Sequence, residues 1–179
     1  MQNKNVMKIV FTGLMAALIC VSTALIAIPL PTGGFANLGD CFVIISGYML
    51  GPIYGALASG IGAGLSDLLL GYGIYVPATF VIKAVMAVVV YFVTKTARNK
   101  SFGVQLSFTV LAAVVAELVM IGGYFVFEIF IYDTAGALAD IFGNAVQGVF
   151  GCIASTIVYV VMDRTKLFNQ ANKLIRDTH

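Results

Sequence analysis

The chain has 179 residues, 60% of them hydrophobic and only 10% charged, with a mean hydropathy of +1.01, against roughly 45–50% apolar and about 25% charged in a soluble domain. A water-soluble fold of this size could not hide so much apolar surface, and at about 20 residues per membrane crossing the length is used up by about six spans, which leaves no room for a separate catalytic domain. A formal net charge of +2, with the basic residues confined to three short stretches, gives no footing for a nucleic-acid partner.

The first apolar stretch, about 7–30, follows Lys4 and Lys8. It is longer than the core of a signal peptide and lacks a convincing cleavage site, so it reads as a retained span. Within it Gly13 and Ala17, four apart with Ala16 beside them, make a small-residue face that lets a second helix come close, in the same bundle or from another membrane subunit. Prolines and glycines from Pro29 to Gly34 break the pattern and open a loop up to Asp40 that carries Phe35 and Asn37. The loop reads either as a lid or as a plain connector.

Two short apolar segments follow, 40–50 extended by a few residues and 53–71, separated by Gly51-Pro52 and rich in small residues such as Gly47, Gly55, Ser59 and Ala63. Gly71-Tyr72-Gly73 ends the second, the next span covers 75–94, and a polar loop from Lys95 to Gly103 contains Lys95, Arg98 and Lys100. The fifth and sixth spans cover 104–132 and 136–162, and the tail 163–179 reads as a polar cytoplasmic stub. Cys20, Cys41 and Cys152 are scattered through apolar runs and read as packing residues rather than metal ligands.

These elements predict an all-α integral membrane protein, a bundle of six transmembrane helices forming a single substrate-binding domain over 1–179. No period-2 alternation suggests a barrel. Basic residues precede the first span, fill the loop after the fourth and follow the sixth, whereas the loops after spans one, three and five contain none. The positive-inside rule then puts both termini in the cytoplasm.

Lys83 lies in the middle of an apolar run, where an ammonium is costly unless it faces a partner or a wet cavity. Candidate partners are Asp67, Glu117, Glu128 and Asp140, with Asn144 and Gln147. Helix rise places Asp67 and Glu128 about one turn from the outer end, Lys83 and Asn144 about two, Gln147 about three and Glu117 about four. Glu117, Tyr124 and Glu128 share one helical face, as do Asp140, Asn144 and Gln147, so two polar stripes can meet across Lys83. The competing reading is a single ion pair that locks the bundle.

Carboxylates, one ammonium, two amides and the aromatic residues Tyr72, Tyr75, Tyr124 and Phe127 suit a small planar ring carrying hydroxyl or amino groups. A phosphate ester would want several arginines or lysines. Gly60 to Asp67 lacks the third glycine of a dinucleotide loop, and there is no phosphate-binding P-loop, no HExxH and no GxSxG, so neither a cofactor nor a metal is called for.

The small face at Gly13 and Ala17, the Gly34-Phe-Ala-Asn-Leu-Gly-Asp40 loop, the Gly51-Pro-Ile-Tyr-Gly55 turn, the Gly62-Ala-Gly-Leu-Ser-Asp67 run and Pro77 to Lys83 together resemble the S component of energy-coupling factor (ECF) vitamin transporters over nearly the whole chain. Glu117 to Glu128 and Asn144 to Gln147 look most like the pyridoxine or hydroxymethylpyrimidine branch, with riboflavin next. The resemblance implies a protein of the bacterial plasma membrane that captures a vitamin outside. It implies work with a transmembrane coupling subunit, EcfT, and two cytoplasmic ATPases, EcfA and EcfA′, and delivery by toppling in the lipid bilayer. It maps the coupling contact onto Gly13, Ala16 and Ala17, with Gly13 a departure from the family's alanine. The site expected on these grounds has Lys83, Glu117, Glu128, Asn144 and Gln147 bonding the ring, Asp67 and Tyr124 in support, and Asn37 and Asp40 closing the loop. A stand-alone secondary transporter, or an enzyme using Lys83 and Glu117 as an acid/base pair, are the competing classes. Independence from ATPase partners would mark the first, and turnover of the bound ligand the second.

Overall fold

In an apolar run that meets lipid, each backbone N–H must find its acceptor within its own segment, and the chain satisfies this with helices. The computed structural model describes residues 4–29 and 35–175. Its elements are α1 (Lys4–Leu25), β1 (Ile28–Pro29), β2 (Phe35–Ala36), α2 (Asp40–Leu70), α3 (Val76–Lys95), α4 (Phe102–Ile131), α5 (Thr134–Arg164) and α6 (Leu167–Ile175). Pro31 to Gly34 of the expected lid, Arg176 and the terminal His179 lie outside the described residues.

Five helices, α1 to α5, are long and apolar enough to cross a membrane, where the sequence suggested six segments. The difference lies in α2, a 31-residue helical run interrupted at Gly51 with φ 84° and ψ −174°. A straight helix would hold Ser46 and Ser59 about 20 Å apart, yet their hydroxyls are 2.8 Å apart. The run therefore doubles back at Gly51, and Pro52 opens its second half at a position where a missing N–H costs nothing. Gly55 makes the close approach possible, because a Cβ there would sit 2.9 Å from the Ser46 carbonyl oxygen. At the far end of α2, Gly71 adopts φ 84° and the Tyr72 N–H bonds the Asp67 carbonyl at 2.8 Å, a left-handed helix cap.

Small residues also set the other helix contacts, as expected where van der Waals packing rather than water exclusion holds helices together. Gly62 of α2 lies on the α1 backbone at Ala16, and Gly60 lies on Phe80 of α3. Ile19, Ile44, Met86, Val90 and Met120 are wholly buried between them, while Leu25, Leu69, Phe130 and Phe142 are 74–83% exposed on the outside, where lipid would lie.

One end of the bundle is basic and aromatic. Arg98 donates to the Tyr48 carbonyl at 2.9 Å and stacks on Tyr91 and Tyr48, Lys8 lies over Tyr54, Lys95 over Tyr91 and Arg164 over Phe102. Tyr48 sits just before the Gly51 reversal, so Arg98 satisfies a carbonyl that the broken helix leaves open. The tail differs from the polar stub expected from its composition. Residues 167–175 form α6, which docks on α1, α2 and α5 by burying Phe168 and Ala171 beside Tyr48 and Tyr159. At the opposite end, β1 and β2 pair antiparallel, Ile28 with Ala36 and Pro29 with Phe35, and lead the chain back into the bundle.

Candidate functional site

The strand pair delivers Asn37 and Asp40 into the interior rather than onto the surface. Asn37 is 9% exposed and Asp40 wholly buried. The Asn37 side chain accepts from the Gly39 N–H at 2.8 Å, a local turn that starts α2, and Gly39 is packed so tightly on Thr23 that a side chain there would overlap it. Asp40 then occupies the first turn of α2, where the helix dipole favours an anion.

A continuous polar chain runs from this point across the bundle. The Asn37 N–H donates to Gln147 Oε1 at 2.9 Å, Gln147 Nε2 donates to Asp40 Oδ2 at 2.5 Å, and Asp40 Oδ1 receives the Lys83 ammonium in a buried salt bridge. Lys83 also lies 5.5 Å from the Tyr124 ring centre. The loop, α2, α3 and α5 are thereby tied together. Lys83 thus pairs with none of the acids proposed for it from sequence; its partner is Asp40, which the sequence places in the lid. The reason is the re-entrant path from β2, which starts α2 deep in the protein.

Beside this chain lies a cavity of about 390 Å³ that includes its opening to solvent. Six of the nine expected site residues line it: Asn37, Asp67, Lys83, Tyr124, Glu128 and Asn144. Asp40 and Gln147 stand one bond behind the wall. Thr23, Phe35 and Thr79 line it as well, although sequence reasoning gave none of them a binding role beyond the aromatic of the loop. For Thr79 a signal existed, since it lies four residues before Lys83 and four after Tyr75, on one face of α3. Its hydroxyl is 3.0 Å from that of Tyr124. Aromatic rings close the rim: Phe35 packs on Tyr72 at 4.7 Å, and Tyr75 on Phe127 at 5.3 Å and on Tyr124 at 6.4 Å.

Glu117 is the site residue that the structure sets apart. It is 3% exposed, faces Gly148 and Gly151 of α5, and lines an apolar groove of about 670 Å³ with Val114, Leu118 and Val149 instead of the outer cavity. Gly151 leaves room for it, because a Cβ there would overlap the Glu117 carboxylate and crowd the Asp40 Cβ at 3.2 Å, so the carboxylate would have to turn aside. Among the described residues neither Glu117 oxygen has a hydrogen-bond partner, and the same holds for Asp67 Oδ2 and Glu128 Oε2. The other Glu128 oxygen takes a long 3.5 Å bond from the Tyr75 hydroxyl.

On α1, Gly13 and Ala17 are exposed, and a Cβ at Gly13 would meet nothing within 4 Å. Ala16 is turned inward onto Gly62 and is 8% exposed, so the small outer face consists of Gly13 and Ala17 without it. The 100° step per residue puts position 16 on a different side of the helix from positions 13 and 17.

Residues 3–164 match the model of the family described as the S component of the ECF-type riboflavin transporter. A Pyrococcus woesei protein, described as an uncharacterized protein in the gap 3′ region, is 34% identical over 136 residues, 75% of this chain and 87% of that protein. The thiamine precursor transporter HmpT of Lactococcus lactis subsp. cremoris is 26% identical over 175 residues, covering 97% of this chain and 98% of the relative.

Proposed function

The chain belongs to the S-component family of ECF-type transporters, the multi-pass membrane subunits that bind substrate, and from that premise we propose that its outer cavity captures a hydroxymethylpyrimidine-like thiamine precursor for import. The observation that carries this reading is the lining of the cavity, an aromatic rim above walls that present carboxylates and amides, which suits a small polar ring. The near full-length likeness to a thiamine precursor transporter supports the same cargo. Riboflavin, named in the description of the matching family, is the second reading. Pyridoxine, expected alongside hydroxymethylpyrimidine from sequence, gains no support from the relatives.

The ligand contacts proposed are Asn37, Asp67, Tyr124, Glu128 and Asn144, with the Lys83–Asp40–Gln147 chain as the wall that holds them. Six crossings with both termini in the cytoplasm fit the doubling back of α2 and the gathering of Lys8, Arg98 and Arg164 at one end. The exposed Gly13 and Ala17 face is the proposed contact for EcfT, with ATP hydrolysis left to EcfA and EcfA′ and delivery by toppling.

Native mass spectrometry of protein purified from rich medium, followed by calorimetry against a vitamin panel, tests the proposal. A stoichiometric pyrimidine returned unchanged supports it, and bound riboflavin transfers the cargo to the second reading. An empty protein that ignores the panel reduces the polar chain to structural glue.

A further inference from the structure

Resting on that reading of the outer cavity, we infer that its ligand presents a ring edge of paired N–H donors, received by Asp67 and Glu128, and that the site rejects isosteres carrying an acceptor there. Among the described residues, the charged groups on the cavity wall are Asp67, Lys83 and Glu128. The Lys83 charge is matched by Asp40, which Gln147 further engages, so the ammonium is spoken for within the wall. Lys8, Lys95, Arg98 and Arg164 lie at the other end of the bundle, and residues 30–34 of the loop contain no charge. What remains charged and unmatched at the cavity is a pair of carboxylates.

Asp67 and Glu128 are 3% and 2% exposed, and one oxygen of each has no hydrogen-bond partner among the described residues. A buried acceptor without a donor is costly, more so when charged. A ligand that brings N–H groups removes that cost, whereas a carbonyl, carboxylate or phosphate sets acceptor against acceptor. An amidine-like edge, a ring nitrogen beside an exocyclic amino group, presents two parallel donors once the ring nitrogen carries a proton, and these match a carboxylate in charge-assisted bonds; in its neutral form the amino group alone donates. The ring faces of Phe35, Tyr75 and Tyr124 on the same wall suit a flat, electron-poor or cationic heteroaromatic. Sites built around such hydrogen bonds discriminate far more strongly than apolar pockets do.

The test is calorimetric titration of the full-length protein with 4-amino-5-hydroxymethyl-2-methylpyrimidine, its 4-oxo counterpart, pyridoxine and riboflavin. The amino compound should bind at least about 100-fold more tightly than the oxo compound, a comparison that needs no mutation. Glu128→Gln or Asp67→Asn keeps the shape but turns an acceptor into a donor, and at least one of them should shrink the preference to within about tenfold. Equal affinity for the two pyrimidines, or a preference unchanged in both variants, overturns the inference. Tight binding of riboflavin or pyridoxine with no affinity for the amino compound overturns it while leaving a vitamin-binding S component in place. No binding of any of the four removes the cavity reading together with it.

Discussion

Removing either partner of the Lys83–Asp40 pair leaves one charge stranded in an interior where Asp40 is wholly buried and Lys83 is 2% exposed. Loss of one member of a buried pair costs about 3–5 kcal/mol, whereas replacing both by apolar or neutral groups of similar size is close to neutral. Lys83→Met and Asp40→Asn should therefore each destabilise the protein by about that amount, a fall of about 6–20 °C in melting temperature for a chain of this length. Asp40→Asn also weakens the 2.5 Å bond from Gln147 and with it the link to Asn37. The double variant should recover most of the loss. The chain has no tryptophan, but Cys41 follows Asp40 and is 4% exposed, so with the half-buried Cys20 and Cys152 replaced by alanine in every variant a thiol-reactive dye reports unfolding at the right place. If the double variant melts no higher than the worse single one, or if both single variants melt like the wild type, the pair is not the lock described.

Gly151→Ala should destabilise by about 1–3 kcal/mol through overlap with the Glu117 carboxylate, whereas Gly122→Ala, with nothing within 4 Å of the added carbon, should be neutral or gain about 0.5–1 kcal/mol. Thermal melts of the two side by side decide the matter, and equal effects would count against the packing of α4 on α5. Gly51→Ala should cost about 1–3 kcal/mol, because φ 84° with ψ −174° is open to glycine alone, and an unchanged melt would mean that the reversal of α2 is not where the structure puts it. Ala17→Leu should leave vitamin affinity within about twofold of wild type while abolishing uptake in cells, since the side chain is exposed on α1. Loss of affinity as well would show that Ala17 packs inside the bundle.

The buried chain from Asn37 through Gln147 and Asp40 to Lys83 joins the loop above the cavity to three helices. Seated on packed helices, such a network holds the neighbouring cavity residues in place, provided that every member is satisfied. It also accounts for a lysine in an apolar run without assigning that lysine to the ligand.

Hydropathy by itself determined the helical membrane class, because backbone groups in lipid have one economical solution. The breaks at Gly51-Pro52, at Gly71 to Gly73 and around Asp133 were legible because glycine at positive φ, proline at a helix start and a capping aspartate act locally. Periodicity also picked out the faces of α4 and α5 that carry Glu128 and Asn144, since side-chain direction follows from position along a helix, and Lys83 stood out as an ammonium inside an apolar run. Which faces meet was decided only by tertiary structure. The rotation of α4 against α5 turns Glu117 toward Gly148 and Gly151 and away from the cavity that Glu128 lines, although both glutamates lie on one stripe. Asp40 became the partner of Lys83 because the strand pair carries a loop residue inward, a path no helical period encodes. The same holds for α6, whose polar composition hides the two side chains, Phe168 and Ala171, that find a place beside Tyr48 and Tyr159 only once α2 has folded back. Depth and face along a helix are local properties of the chain, whereas pairing across the bundle depends on contacts between residues up to 110 positions apart.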